Sequence, residues 1–315
     1  METTWPHSLR PVTTIPARSP TAAGVLLAGG AIGAVGFSVA VSDLLTGAPF
    51  LASQAARYAL GAAVLLVVAL ARRQRLPRPD LADLGRIAAL AATGMIGFNL
   101  CLVAALRRAE PGAVGVVVGC VPLLLALGGP LLERRAPARR VGAGAVLAVL
   151  GAAVVEGGGS ASPAGVGLAA GALLGEAAFS LLAVPLLVRW GPLVLSLYAC
   201  LAGTVMLAVA SPLVEWPALR PPTAAEAAAV LFLGVVVTAG GFFCWYAGMA
   251  RLGVERAGLL AGLLPVAALA GGAVLGSGAV GPAQVAGTAL VAVGISAGMV
   301  PGRRPRPAPV RTPAG

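Results

Sequence analysis

Lysine is absent from this sequence, histidine occurs once, as His7, and there are four cysteines. Charged residues make up 10% of the chain and aromatics 4%. Each scarcity excludes something. A soluble globular chain carries about a quarter charged residues, so a fully water-solvated surface is not encoded here. The net charge of +11 comes from arginines that fall between apolar runs. They form no stripe with interleaved aromatics, which argues against nucleic acid as a partner. Cys101, Cys120, Cys200 and Cys244 lie inside apolar runs, with no CxxC spacing and no histidine beside them. They read as small packing residues, and no metal, disulfide framework or cofactor is expected. Neither HExxH nor GxSxG occurs, and Glu156 lies near the end of a run. The chain is therefore not expected to be an enzyme.

What fills the chain is apolar and small. Of 315 residues, 58% are hydrophobic and 44 are Gly. The apolar residues gather in runs of about twenty, the length that crosses a hydrocarbon layer as a helix. These runs are too long, and too little alternating, for barrel strands. Glycine and alanine let helix backbones approach closely in lipid. We place spans at 22–42, 49–71, 84–106, 113–132, 141–156, 164–188, 192–214, 225–247, 257–276 and 282–300. The first run could pass for a signal peptide. It lacks a convincing cleavage site, and a polar loop leads at once to another span, so it is kept. With ten spans and the N-terminus inside, eighteen arginines fall on inner segments. Only Arg107, Arg108 and Arg220 fall on outer ones, and Arg57 lies within a span. That bias obeys the positive-inside rule. It predicts a multi-pass protein of the cell (inner) membrane with both termini cytoplasmic. The tails, 1–21 and 301–315, are rich in Pro and Arg and are expected to be disordered.

An internal repeat is also legible. A shift of 143 residues lays residues 90–155 on 233–298. Gly97, Gly115, Gly119, Gly128, Gly129, Gly144 and Gly151 then meet Gly240, Gly258, Gly262, Gly271, Gly272, Gly287 and Gly294. Pro122 meets Pro265 and Arg108 meets Arg251. Chance would pair about two of the glycines. The shift skips five spans, an odd number, so the second copy must sit upside down. The predicted fold is an all-α membrane protein of ten transmembrane helices in two inverted five-helix repeats, 22–156 and 164–300. Such repeats are typical of secondary transporters, whose substrate site lies near the midplane between the halves.

At these residues the chain resembles the drug/metabolite transporter superfamily in its EamA-type branch. Residues 231–295 look like that family's last three helices: a Thr-containing helix ending in an aromatic cluster and Arg-Leu-Gly, a small-residue helix with Leu-Leu-Pro, and a Gly-rich final helix. Arg-Tyr-Ala-Leu at 57–60 and the stretch 116–137 match in the first half. The resemblance implies the fold and a transport activity and leaves the substrate open. Two departures stand out. The acid expected after the Pro helix is present as Glu133, but Ser277 takes its place in the second half, and Glu176 stands where the family often has Trp.

Six residues are candidates for substrate or coupling roles. Glu176 lies mid-span, next to Gly167, Gly171 and Gly175 at four-residue spacing. A charge at the bilayer centre costs roughly 2.5–3.5 kcal/mol on insertion scales, so it is expected to face protein. It either takes up a proton, pairs with a cationic substrate group, or hydrogen-bonds a neighbouring helix. Arg57 is read as an anchor, a helix-to-helix donor, or a partner for Glu176 or an anionic group. Asn99 and Gln54 need partners that lipid cannot offer, and either line a pocket or join helices. Trp245 and Tyr246 are either an interface belt or a surface on which a substrate stacks. Pro122 and Pro265 are expected to free carbonyls and form kinks that act as gating hinges. The expected function is a secondary transporter, with export favoured, of a small metabolite or drug-like solute by alternating access, with proton coupling through Glu176. The rival readings are a passive channel and a structural or sensor membrane protein. The expected partners are a small-molecule substrate, the lipid bilayer and protons, and a homodimer is left open.

Overall fold

The computed structural model describes residues 21–132, 134, 136–274 and 280–300. Of the tails expected at 1–21 and 301–315, residues 1–20 and 301–315 lie outside the described residues, as do Glu133 and Ser277. Among the described residues the chain is helical. Extended pairing is confined to one isolated antiparallel bridge between Ala109 and Ala161.

The order is α1 (Ala22–Ser42), α2 (Phe50–Ala71) and α3 (Leu81–Leu90). A π-helical stretch, Ala91–Gly97, continues α3 into α4 (Phe98–Leu106). Next come α5 (Pro111–Val118), α6 (Val121–Leu132), α7 (Arg139–Glu156) and the long α8 (Pro163–Glu215). Then α9 (Ala224–Phe232) runs through a second π-helical stretch, Leu233–Gly240, into α10 (Gly241–Leu252). The last helices are α11 (Val254–Leu260), α12 (Leu264–Val274) and α13 (Pro282–Met299).

Helix ends follow local chemistry. Proline opens α5, α8 and α13, where its missing N–H costs nothing. A capping box opens α3 through Asp80 and Asp83, and another opens α9 through Thr223 and Glu226. The start of α2 is capped from far away in sequence: Glu215 accepts from the backbone N–H groups of Leu51 and Ala52. Gly157, at φ 75°, ends α7 in the left-handed conformation that glycine adopts without strain.

Among the described residues, eight helical stretches are long and apolar enough to cross a membrane. Two features separate this number from the ten spans expected. The helix α8 runs for 53 residues, but Gly191 inside it has φ 75° and ψ 173°, a break between two arms. The helix α7 has 18 residues and carries Arg139, Arg140 and Glu156, which lowers its apolarity. Large apolar side chains point outward, among them Leu26, Leu131, Val205 and Leu213, the last 80% exposed. An outer face of this kind is suited to lipid rather than water.

Elements recur at the spacing of the glycine repeat. Leu81 and Ala224, Pro111 and Val254, Val121 and Leu264, and Arg139 and Pro282 open corresponding helices, and the π-helical stretches correspond too. The helices α7 and α13 pack on each other through their glycines. A Cβ on Gly144 would lie 2.5 Å from the Gly294 carbonyl, and one on Gly151 would lie 2.7 Å from that of Gly287. Rising numbers on α7 meet falling numbers on α13, so the two run antiparallel.

Candidate functional site

The polar residues expected inside the spans converge on Tyr58. This residue is buried in α2, with Gln54 one turn before it on the same face. The Asn99 amide of α4 donates to the Met95 carbonyl at 2.6 Å and, at 3.5 Å, to the Tyr58 hydroxyl. The Arg57 guanidinium lies over the Tyr58 ring, 5.7 Å from its centroid, and its Nε donates to Thr238 Oγ1 at 2.7 Å. Glu176 of α8 is within electrostatic reach of both Tyr58 and Tyr246. Gly175 beside it packs on the Thr93 carbonyl and Phe98, and Gly171 packs on Cys101, so this face of α8 meets protein. Gly167, one turn earlier, has open space around it.

Aromatic rings close the cluster. Phe179 stacks on Tyr246, with centroids 5.3 Å apart, and tilts against Phe242, which in turn lies near Tyr58. Trp245 donates through Nε1 to Ser180 at 3.2 Å, with both groups buried. Trp245 and Tyr246 are 5% and 0% exposed, so neither belongs to an interface belt. Two buried polar atoms here, Gln54 Oε1 and Tyr246 Oη, accept or donate no hydrogen bond, and neither does Ser196 Oγ in the second arm of α8. Among the described residues no ion pair joins Arg57 to Glu176, and Arg57 instead links α2 to the second π-helical stretch. Together these groups offer a cation, a carboxyl, hydroxyls and ring faces, the set that recognises a small polar solute with an apolar portion. Among the described residues no cluster of His, Cys, Asp or Glu could hold a metal ion.

Pro122 and Pro265 stand at the second residue of α6 and α12. Each follows an interruption, the turn at Gly119 and Cys120 or the 3-10 turn Ala261–Leu263. The expected kinked helices are therefore broken ones, because the first turn of a new helix accepts proline more readily than a helix interior.

Sequence reading missed Thr238, Phe179 and Phe242 as members, and it used Tyr58 only as part of a family motif. The spacing of Gln54 and Tyr58 was a usable signal for the last. Nothing in the sequence marks Phe179 against the other aromatics. A separate cleft of about 340 Å³ is lined by Ala113, Val117, Gly158 and Gly165 among others, and is mostly apolar. It lies at the loop Gly157–Ser160, away from the polar cluster. There the Glu110 carboxylate accepts from the Ser160 hydroxyl at 2.6 Å, which holds it below the usual carboxylate range.

Comparison with known proteins agrees with this architecture. The model of the EamA-like transporter family matches twice, over residues 22–156 and 163–297. An uncharacterized transporter of Bacillus subtilis, YetK, is 25% identical over 249 residues, 76% of this chain and 75% of the relative. A protein of Streptantibioticus cattleyicolor named probable terminal-alkyne amino-acid exporter is 33% identical over 197 residues. That match covers 61% of this chain and 65% of the relative. A solved crystal structure superposes with a TM-score of 0.76 at 24% identity, over 87% of this chain and 95% of the other, which shows the fold. The chain belongs to the EamA-like transporter family, and with it to the drug/metabolite transporter superfamily of multi-pass membrane proteins that carry small molecules.

Proposed function

We propose that this protein is a secondary transporter that exports a small zwitterionic solute of the amino-acid class by alternating access. The observation that carries the reading is the placing of Arg57 over the ring of buried Tyr58, with Glu176, opposite in charge, within electrostatic reach of the same tyrosine. A guanidinium suits a carboxylate and a carboxyl suits an ammonium group. The ring faces of Phe179, Phe242 and Tyr246 suit an apolar side chain. The name of the relative from Streptantibioticus cattleyicolor points to the same class. Glu176 takes up a proton when the ammonium group leaves, which couples the solute to protons.

The chain crosses the membrane ten times, counting the two arms of α8 and α7 as spans. Its halves, 22–156 and 164–300, are inverted copies of five helices each. The antiparallel packing of α7 on α13 supports the inversion, and so does the pairing of the π-helical stretches. Both termini lie on the cytoplasmic side of the inner membrane. Loop contacts support that threading, since each joins loops assigned to one face. Arg189 pairs with Asp83 on the inner side. Arg220 pairs with Glu226 and donates to the Gly47 carbonyl on the outer side. Asp83 and Glu226 are repeat-related third residues of capped helices. Their ion pairs are closure points at opposite ends of the cavity, and the breaks before Pro122 and Pro265 are hinges.

The test is transport in proteoliposomes, with a panel of radiolabelled L-amino acids and an imposed pH gradient. The proposal predicts gradient-driven flux that Arg57→Gln abolishes and whose gradient response Glu176→Gln removes. Flux no greater than in empty vesicles for every panel member would overturn the substrate class. Flux indifferent to the gradient and to Glu176→Gln would overturn the coupling.

A further inference from the structure

We propose that Thr238 is a positioning residue that aims the Arg57 guanidinium into the central cluster, and so sets the preference for a carboxylate on the solute. The inference rests on the reading of Arg57 as the carboxylate-binding group.

Thr238 lies in the second π-helical stretch and is fully buried. A threonine inside a helix usually turns its hydroxyl back to a carbonyl one turn earlier. Thr93 and Thr204 do so, donating to Ala89 at 2.7 Å and Cys200 at 2.8 Å. The Thr238 oxygen instead accepts from Arg57 Nε at 2.7 Å. Which nitrogen is engaged matters. Tying Nε, at the base of the planar fork, leaves the terminal edge of Nη1 and Nη2 to receive a carboxylate through two parallel bonds. The Tyr58 ring beneath the guanidinium fixes its plane.

The backbone holds Thr238 in this orientation. A Cβ on Gly61 would lie 2.7 Å from the Thr238 methyl carbon. Reciprocally, a Cβ on Gly234 would lie 2.8 Å from Leu60 Cβ and 3.0 Å from the Arg57 carbonyl oxygen. Two glycines thus bring α2 and the π-helical stretch into direct contact, and the methyl of Thr238 is seated against Gly61. The π-helical turn is a local irregularity of a kind that recurs at functional sites. The repeat-related position is Met95, whose carbonyl takes the Asn99 amide. The device therefore belongs to one half alone, as expected of a group that reads one end of an asymmetric solute.

The experiment compares Thr238→Val, Thr238→Ser and Arg57→Gln in proteoliposomes. The probes are the L-amino acid that the wild type carries fastest from a twenty-member panel and the amide of that amino acid, which lacks the carboxylate. Thr238→Val keeps the methyl against Gly61 and removes the acceptor. It is expected to raise KM for the acid about tenfold, with kcat and the KM of the amide each within about twofold of the wild type. Thr238→Ser is expected to return KM for the acid to within about twofold. If Thr238→Val raised KM for acid and amide alike, or if Ser failed to recover the acid, Thr238 would be a packing residue and the proposal overturned. If Arg57→Gln left KM for the acid unchanged, the underlying reading of Arg57 would fall instead, which is a different result.

Discussion

Tyr246 carries a hydroxyl into the core without a hydrogen-bond partner. A buried orphan of this kind costs about 1–3 kcal/mol of folding stability. Removing it should therefore not harm the fold. Tyr246→Phe is expected to keep or raise the thermal midpoint in detergent while weakening solute binding several-fold. The pair of measurements separates a solute-binding hydroxyl from a packing one. At the loops before α5 and α8, Glu110 gives a pH-dependent prediction. Its carboxylate is stabilised first by the Ser160 hydroxyl, so its pKa in the fold lies below the ordinary glutamate value of 4.5. The tie is fully present above pH 4.5 and is lost as pH falls through the depressed pKa. Ser160→Ala should move the Glu110 titration up toward 4.5, read by carbon NMR of labelled Glu. Residue by residue, the sequence was legible where a polar group stood alone in an apolar run. Gln54, Arg57, Asn99 and Glu176 stood out because lipid leaves such groups no partner. Thr238 did not, since threonine passes unnoticed within a helix and its role depends on a neighbour 181 positions away.

Glycines decide how closely the helices meet. A Cβ on Gly151 would fall 2.6 Å from the Val291 nitrogen, backbone that cannot swing aside. Gly151→Leu in α7 is expected to cost about 1–3 kcal/mol or more, seen as a lowered thermal midpoint. Gly142, on the same helix, has open space around it. Gly142→Ala should be neutral or stabilise by up to about 1 kcal/mol. Arg189 holds Asp83, whose side chain is fully buried. Breaking that pair by Arg189→Gln should cost about 1–3 kcal/mol, reduced because the arginine is half-exposed. Helix positions were legible from run length and glycine spacing. Breaks were not. Gly191 is one glycine among many, and its positive φ arises where two arms of α8 must change direction. The π-helical stretches were equally hidden, because they lie where distant residues pack closely, Phe179 on Gly94 and Leu60 on Gly234.

At the scale of the molecule, the polar cluster draws side chains from both family-matched repeats. Arg57, Tyr58 and Asn99 come from the first half, and Glu176, Thr238 and Tyr246 come from the second. In the proposed cycle, relative movement of the two repeats opens and closes this cluster. In the proposed cycle the ion pairs Arg189–Asp83 and Arg220–Glu226 close its two ends. Loosening the first by Asp83→Asn should favour opening to the cytoplasm, and loosening the second by Glu226→Gln should favour opening outward. The most direct measurement places a single cysteine at Asn99→Cys, with Cys101, Cys120, Cys200 and Cys244 replaced. It then follows labelling by a membrane-impermeant maleimide in right-side-out and inside-out vesicles. The account predicts labelling from both faces, slowed by a transported amino acid, with the two acid variants shifting the balance in opposite directions. Labelling from one face only, unaffected by either variant, would contradict it.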